Sequence, residues 1–369
     1  MTDAKEEKAV TRWRVYHCLL ALFAVVIGLQ HAGRCADVDS APDQDFGATV
    51  KENFAKWDKN HDSVLSAAEI KKAFSNPNCK GPEAAAITVL QRLETTHFSQ
   101  KEPFESFTLE QLNEMGTKGS EKYKKTKKSF QNILKKIDEA SPELYAHGLP
   151  QIDEIRQGGT IDCWFLSVVG AMAHQRPQEL ASLIESNDDG SFTVHFHGCP
   201  PVKVGRPSPG EQAAWNSNGG NGLWLQVLQK AYGKILLKND SAKHDVDPIE
   251  GVVAHFGNQQ QALKLITGHE VKSKQMKDWG KSKDLRPNLI DAFAKHRLVL
   301  VGVPGHVMAG YGYDSKSDEF QIWNPWGSSG YFKPLDATMK NGVCSLPLSK
   351  VFDKCTGIDI EDPSMRSVK

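Results

Sequence analysis

Apolar positions between residues 46 and 75 recur at helical spacing on both sides of a polar stretch. Val50, Phe54 and Trp57 precede it, and Ile70, Ala73 and Phe74 follow it, which predicts two short helices bracketing a loop. A second helical pair is expected over AAAITVLQRLETTHF and FTLEQLNEM. Phe130, Ile133, Leu134 and Ile137 then mark one face of a helix inside a lysine-rich run. Beyond Pro142 the period changes repeatedly. DCWFLSVVGAMAH reads as a helix buried all round, SFTVHFHG with PVKVG as a hairpin, and GLWLQVLQKAYGKI as an amphipathic helix. RLVLVGV, HVMAGYGYD and EFQIWNP read as consecutive strands. Helices first and antiparallel strands later predict an α+β fold of two lobes.

The first 36 residues follow a different pattern. Arg12 and Arg14 precede the apolar run Val15 to Leu29, and small and polar residues follow, as in a secretory signal peptide. The run is shorter than the roughly 20 residues that span a bilayer, so export by cleavage after Cys35 or Ala36 is expected, with an uncleaved signal anchor as the alternative. A membrane is a partner only in that second case. Lys plus Arg and Asp plus Glu both total 45, which removes the electrostatic case for nucleic acid. Beyond the leader stand Cys79, Cys163, Cys199, Cys344 and Cys355. If four of them pair, Cys163 is left over, but sequence assigns no pairing and reduced thiols fit equally.

The polar stretch between the first two helices has its own chemistry. Asp58, Asn60, Asp62, Ser66 and Glu69 occupy the first, third, fifth, ninth and twelfth places of a twelve-residue loop, with Val64 offering its carbonyl at the seventh. This is EF-hand spacing, an oxygen cage for Ca2+ closed by a bidentate carboxylate. The sixth place is Ser63 where glycine is usual, so a residue with a Cβ must adopt positive φ at a cost of about 1 kcal/mol. The second pair offers Gln100, Glu102, Phe104 and Gln111 and is expected to brace the first loop without binding metal. The lysine run from Gly116 to Lys136 is expected to preface or line the wet face of a helix joining two domains, with a patch for an anionic surface or nucleic acid as the alternative, which no aromatic platform accompanies.

Asp162 is a favourable N-cap, so Cys163 would open its helix, where free N–H groups and the helix dipole stabilise a thiolate. A thiolate nucleophile needs an imidazole and a group that orients it. Of 13 histidines, His306 stands out: it follows Pro304 and Gly305 at the head of a strand, and the next strand ends in IWNPWG, carrying Asn324 and Trp326. Trp326 is placed to roof a buried hydrogen bond.

Gln157, Cys163, His306 and Asn324, in that chain order, resemble the papain-like thiol proteases, and the local wording resembles the calpains. QGGTIDCWFL is similar to the calpain cysteine motif, GHVMAGYGY to its histidine motif and IWNPWG to its asparagine motif. LWLQVLQKAYGKI, QALKLITG and GVCSLPLSKVFDKCTGIDI extend the likeness over about Leu149 to Asp362. The resemblance implies Cys163 as nucleophile, His306 as general base and acid, Asn324 as the orienting group, and Gln157 as an oxyanion donor beside the Cys163 N–H. It implies Trp164 and Trp326 as walls of the site.

Thr160-Ile161 departs from the family's leucine-glycine and is expected to crowd the turn that aims Gln157. An EF-hand stands before the protease, whereas the familiar calpains carry theirs behind it with a β-sandwich, and are mostly cytosolic. The expected organisation is a signal segment over 1–36, an EF-hand-like domain over 37–115, a basic helical linker over 116–148, a papain-like two-lobed calpain-type core over 149–362 and a tail over 363–369. The expected activity is that of a calcium-dependent or calcium-stabilised cysteine endopeptidase acting on proteins or peptides, as a monomer. A catalytically inactive calpain-like calcium-binding or adaptor protein and a thiol acyltransferase are the alternatives.

Overall fold

The computed structural model describes residues 45–95, 106–119, 121–238, 248–253 and 257–366. The signal segment 1–36, and Gln100, Glu102 and Phe104 of the second loop, lie outside the described residues. Among the described residues no helix is long and apolar enough to cross a membrane, and no disulfide joins the five described cysteines.

Helices α1 (Phe46–Trp57) and α2 (Ala67–Phe74), then α3 (Gly81–Thr95) and α4 (Leu109–Gly116), form the two expected pairs. Their loops meet where β1 (Val64–Ser66) runs antiparallel to β2 (Ser106–Thr108), with Leu65 opposite Phe107 and both side chains fully buried. Each pair's second helix starts with a reciprocal cap: the Ser66 hydroxyl accepts the Glu69 N–H while Glu69 accepts the Ser66 N–H, and Thr108 with Gln111 repeats the device. The expected linker is not one. Helix α5 (Glu121–Glu139) buries Phe130 and Ile133 in the same core as α1 to α4, with Phe130 edge-on to Phe46 at 6.1 Å. Lysines dominate its composition, but its apolar stripe decides where it packs.

Next along the chain are β3 (Ile155–Arg156), α6 (Cys163–Gln175), α7 (Pro177–Ser182) and the antiparallel β4 (Ile184–Ser186), β5 (Phe192–Val194) and β6 (Val202–Val204). Then come α8 (Pro209–Ala214), β7 (Ser217–Asn218), which pairs with β3, and α9 (Trp224–Lys238). The α9 helix is not amphipathic as expected: Gln226 and Gln229 are buried together with Trp224, Leu225, Val227 and Leu228. Helix α8 joins the N-terminal core. Ala213 and Ala214 pack among the N-terminal helices, and the buried Ser208 hydroxyl donates to the Phe74 carbonyl at 2.5 Å.

After α10 (Pro248–Val253) and α11 (Gln259–Thr267), the second lobe comprises β8 (His269–Gln275), α12 (Ser282–Ala294), β9 (Val299–Val303), β10 (His306–Asp314), β11 (Glu319–Trp323), β12 (Gly330–Phe332), β13 (Ala337–Met339), β14 (Val343–Pro347), α13 (Leu348–Lys354) and β15 (Gly357–Arg366). Its main sheet runs β14-β11-β10-β9-β15-β8 with antiparallel pairing throughout. The hairpins β9-β10-β11 are those expected. Strand β15 carries backbone pairing to Arg366, opposite His269, so the expected tail from 363 begins inside a strand. The α+β class and the two lobes hold, and helix α6 of the first lobe packs against β10 of the second.

Candidate active site

Helix α6 positions the thiol. It is apolar on every face, with Trp164 to Ala173 all buried, so it can only sit between layers. Two contacts fix it against the second lobe. Ser167 donates its hydroxyl to the Val307 carbonyl at 2.8 Å, and Gly170 leaves room for the Trp323 ring, from which an added Cβ would be only 2.6 Å. Cys163, the first residue of α6, is thereby half-buried beside the backbone N–H of Val307, the residue after His306. Its acidity departs from expectation. Desolvation pushes the thiol above its ordinary value and outweighs the backbone N–H groups of Val307, Trp164 and Cys163 itself, while Asp162 adds a further upward push.

His306 heads β10, just after the left-handed turn at Gly305, φ 72°. Its Nε2 lies 2.9 Å from Asn324 Oδ1, and the same oxygen accepts the Trp326 main-chain N–H at 3.1 Å. A main-chain N–H can only donate, so the amide atom facing it is the oxygen, and the ring nitrogen facing that oxygen carries the proton. Nδ1 then keeps its lone pair. Burial lowers the imidazole below its ordinary value, against the raising effect of Asn324. The Trp326 ring, 45% exposed, covers the imidazole at 4.5 Å and 32°, with Phe332 at 6.1 Å. Trp326 is thus the expected roof. Trp164 is not a wall: it is 3% exposed and packs on Phe165 and Tyr232 in the core.

The main-chain N–H of Gln157 donates to the Pro325 carbonyl at 2.8 Å, tying the cysteine loop to the asparagine turn. Its side-chain Nε2 donates one proton to the Thr160 carbonyl at 2.8 Å, leaving a second N–H. The Thr160 carbonyl thus fixes where the Gln157 amide sits.

Asp162 occupies the N-cap position with φ −91° and ψ 27°, but its carboxyl caps nothing. It is fully buried. Thr160 Oγ lies 2.7 Å from its Oδ1, and Asn216 Nδ2 and Gln229 Nε2 donate to its Oδ2 at 2.7 and 3.0 Å. Thr160 Oγ is also 2.9 Å from Asn216 Oδ1, which accepts the Gly158 N–H at 3.0 Å. One hydroxyl proton cannot serve both acceptors. Below about pH 6 a protonated Asp162 satisfies both, donating to Thr160 while Thr160 donates to Asn216, and above it the carboxylate takes the Thr160 proton. Desolvation correspondingly pushes the Asp162 carboxyl up to about 6, although Thr160, Asn216 and Gln229 pull it down. Sequence reasoning missed Asn216 and Gln229 because no local pattern marks them.

In the loop from Asp58 to Glu69, His61 and Ser63 take positive φ of 59° and 65°, the turn expected at the sixth place. Ser63 N–H donates to Asp58 Oδ2, Asp62 N–H to Asn60 Oδ1 and Val64 N–H to Asp62 Oδ1. Glu69 accepts the N–H groups of Lys59, Asn60 and Ser66, and the Ser66 hydroxyl. Although desolvation opposes it, this set holds the Glu69 carboxyl below its ordinary value. Among the described residues no three His, Cys, Asp or Glu side chains are gathered as metal ligands. Asp58 Oδ1 is nevertheless buried without a hydrogen-bond partner, and hard oxygen donors are what a calcium ion requires. Asp58, Asn60, Asp62, Glu69 and the Val64 carbonyl are oxygen donors of the kind such an ion takes, with Glu69 and Ser66 joined to each other in the cap.

A family model described as calpain family cysteine protease matches residues 110–335. Curated relatives include the calpain-type cysteine proteases ADL1 of Oryza sativa subsp. japonica, 31% identical, DEK1 of Zea mays, 32%, and DEK1 of Arabidopsis thaliana, 35%, each over 114 residues. These alignments cover 28% of this chain and 5% of each relative.

Proposed function

The chain belongs to the calpain family of cysteine proteases, and on that premise we propose that it hydrolyses peptide bonds of protein or peptide substrates through an acyl-thioester on Cys163. The observation that carries this reading is the His306 imidazole, held by Asn324 beneath Trp326 beside the helix that begins at Cys163.

With Nε2 committed, Nδ1 takes the thiol proton as Sγ attacks the carbonyl carbon. The Cys163 N–H and the second N–H of Gln157 receive the oxyanion. His306 returns the proton to the departing nitrogen as the C–N bond breaks. Water, deprotonated by the same Nδ1, then cleaves the thioester and restores the thiol. Burial raises the thiol and lowers the imidazole, so the resting pair is neutral and proton transfer accompanies attack.

The reading extends to Ca2+, which Asp58, Asn60, Asp62, Glu69 and the Val64 carbonyl of an EF-hand-like module would hold, and which would offset the charge of the loop's carboxylates. It takes the protein to be exported and to act as a monomer. The raised thiol favours a second reading, a calpain-like binding protein without turnover. Unfolded casein incubated with wild type and with Cys163→Ala, with and without calcium, separates the two. Cleavage by wild type alone supports the peptidase; no cleavage by wild type in either condition supports the second reading.

A further inference from the structure

We propose that Asn216 is a positioning residue for the oxyanion-binding loop, clamping the segment between Gln157 and Cys163 in the geometry that lets both receive the oxyanion. The inference rests on the peptidase reading and adds to it a residue that none of the motifs contains. Asn216 is 1% exposed and lies just beyond α8, with its main-chain carbonyl accepting from Gln226 Nε2 at 3.3 Å. Its side chain makes three contacts, each to a different residue of the loop. Oδ1 accepts the Gly158 N–H at 3.0 Å and the Thr160 hydroxyl at 2.9 Å, and Nδ2 donates to Asp162 at 2.7 Å.

These three contacts close the loop from behind. Thr160, the middle contact, is the residue whose carbonyl holds the Gln157 amide at 2.8 Å. Asp162, the last contact, directly precedes the Cys163 N–H. The loop cannot leave this position without breaking the clamp, and it lies close against the residue before Asn216, since a Cβ at Gly158 would be 2.6 Å from the Trp215 carbonyl. Both proposed oxyanion donors are thus referenced to one buried amide. A small error in that reference costs transition-state stabilisation without touching the thiol or the imidazole.

The test compares wild type, Asn216→Ala, Gln157→Ala and the double variant in casein-peptide turnover, alongside the rate at which iodoacetamide alkylates Cys163. Alkylation develops no oxyanion. Asn216→Ala is expected to lower kcat by roughly a hundredfold, as loss of one oxyanion donor does, with KM and the alkylation rate unchanged. The double variant is expected to fall short of the product of the two single losses, because both changes remove the Gln157 contribution. Full additivity, or an alkylation rate that falls with kcat, would overturn the inference. Asn216→Asp serves if the alanine variant does not fold. It keeps the acceptor for Gly158 and Thr160 but faces Asp162 with a second carboxyl, and the pair needs a shared proton to stay closed. Its kcat relative to wild type is expected to fall as pH rises through the range where that proton is lost, and a ratio independent of pH contradicts the clamp. Failure of wild type to turn over while Cys163 still alkylates removes the peptidase reading itself, and the inference falls with it. Full activity in Asn216→Ala beside an inactive Cys163→Ala removes the inference alone.

Discussion

Replacing Asp162 by asparagine should stabilise the protein at neutral pH relative to wild type. Its carboxyl is fully buried and raised from 3.8 to about 6. A raised carboxyl means the folded state holds the proton more tightly than the unfolded chain. Its contribution to stability is therefore complete below pH 3.8 and is lost as pH rises through about 6. A shift of roughly two pH units corresponds to about 3 kcal/mol, of which about 2 kcal/mol is lost above pH 4.5. Asparagine matches the shape of the protonated acid and its hydrogen-bond pattern, donating to Thr160 and accepting from Asn216 and Gln229, but cannot ionise. Urea unfolding between pH 4.5 and 7.5 should show the variant gaining on wild type by about 2 kcal/mol across that range, with unchanged m-value. Parallel pH profiles would refute a buried protonated Asp162, and the proton count around Thr160 with it.

Trp326→Ala should open the His306–Asn324 hydrogen bond to water; as desolvation is what lowers the imidazole, its pKa should rise, moving the acidic limb of the pH dependence of kcat/KM to higher pH while kcat falls. On the proposed calcium reading, millimolar calcium should raise the melting temperature of the full-length wild type and Glu69→Gln should abolish that rise, as loss of a bidentate carboxylate would; an undiminished rise would place the ion elsewhere.

The catalytic pair was legible because its determinants are local: Pro304 and Gly305 turn the chain into β10, and Asn324 follows the end of β11, so a hairpin register alone brings them together. Ser63 was legible for the same reason, as one place in a loop of fixed spacing. Asp162 was misread because its position is that of a cap while its partners lie 54 and 67 residues away, and a buried polar network overrides a local preference. The α9 helix misled in the same direction. Its Gln226 and Gln229 mark a polar stripe in sequence, yet in the fold Gln226 reaches the Asn216 carbonyl and Gln229 reaches Asp162. The α5 helix reads as a linker because its charge is plain in the sequence, whereas the surface that receives Phe130 exists only once α1 to α4 have packed.

The central claim is that Cys163 carries the acyl group. Wild type mixed with excess peptide ester, quenched in acid within one turnover and digested, should yield the peptide containing Cys163 with the mass of the acyl group added, and Cys163→Ala should yield none. Turnover of the ester with no adduct on Cys163, or an equal adduct on another residue in both proteins, would contradict the account.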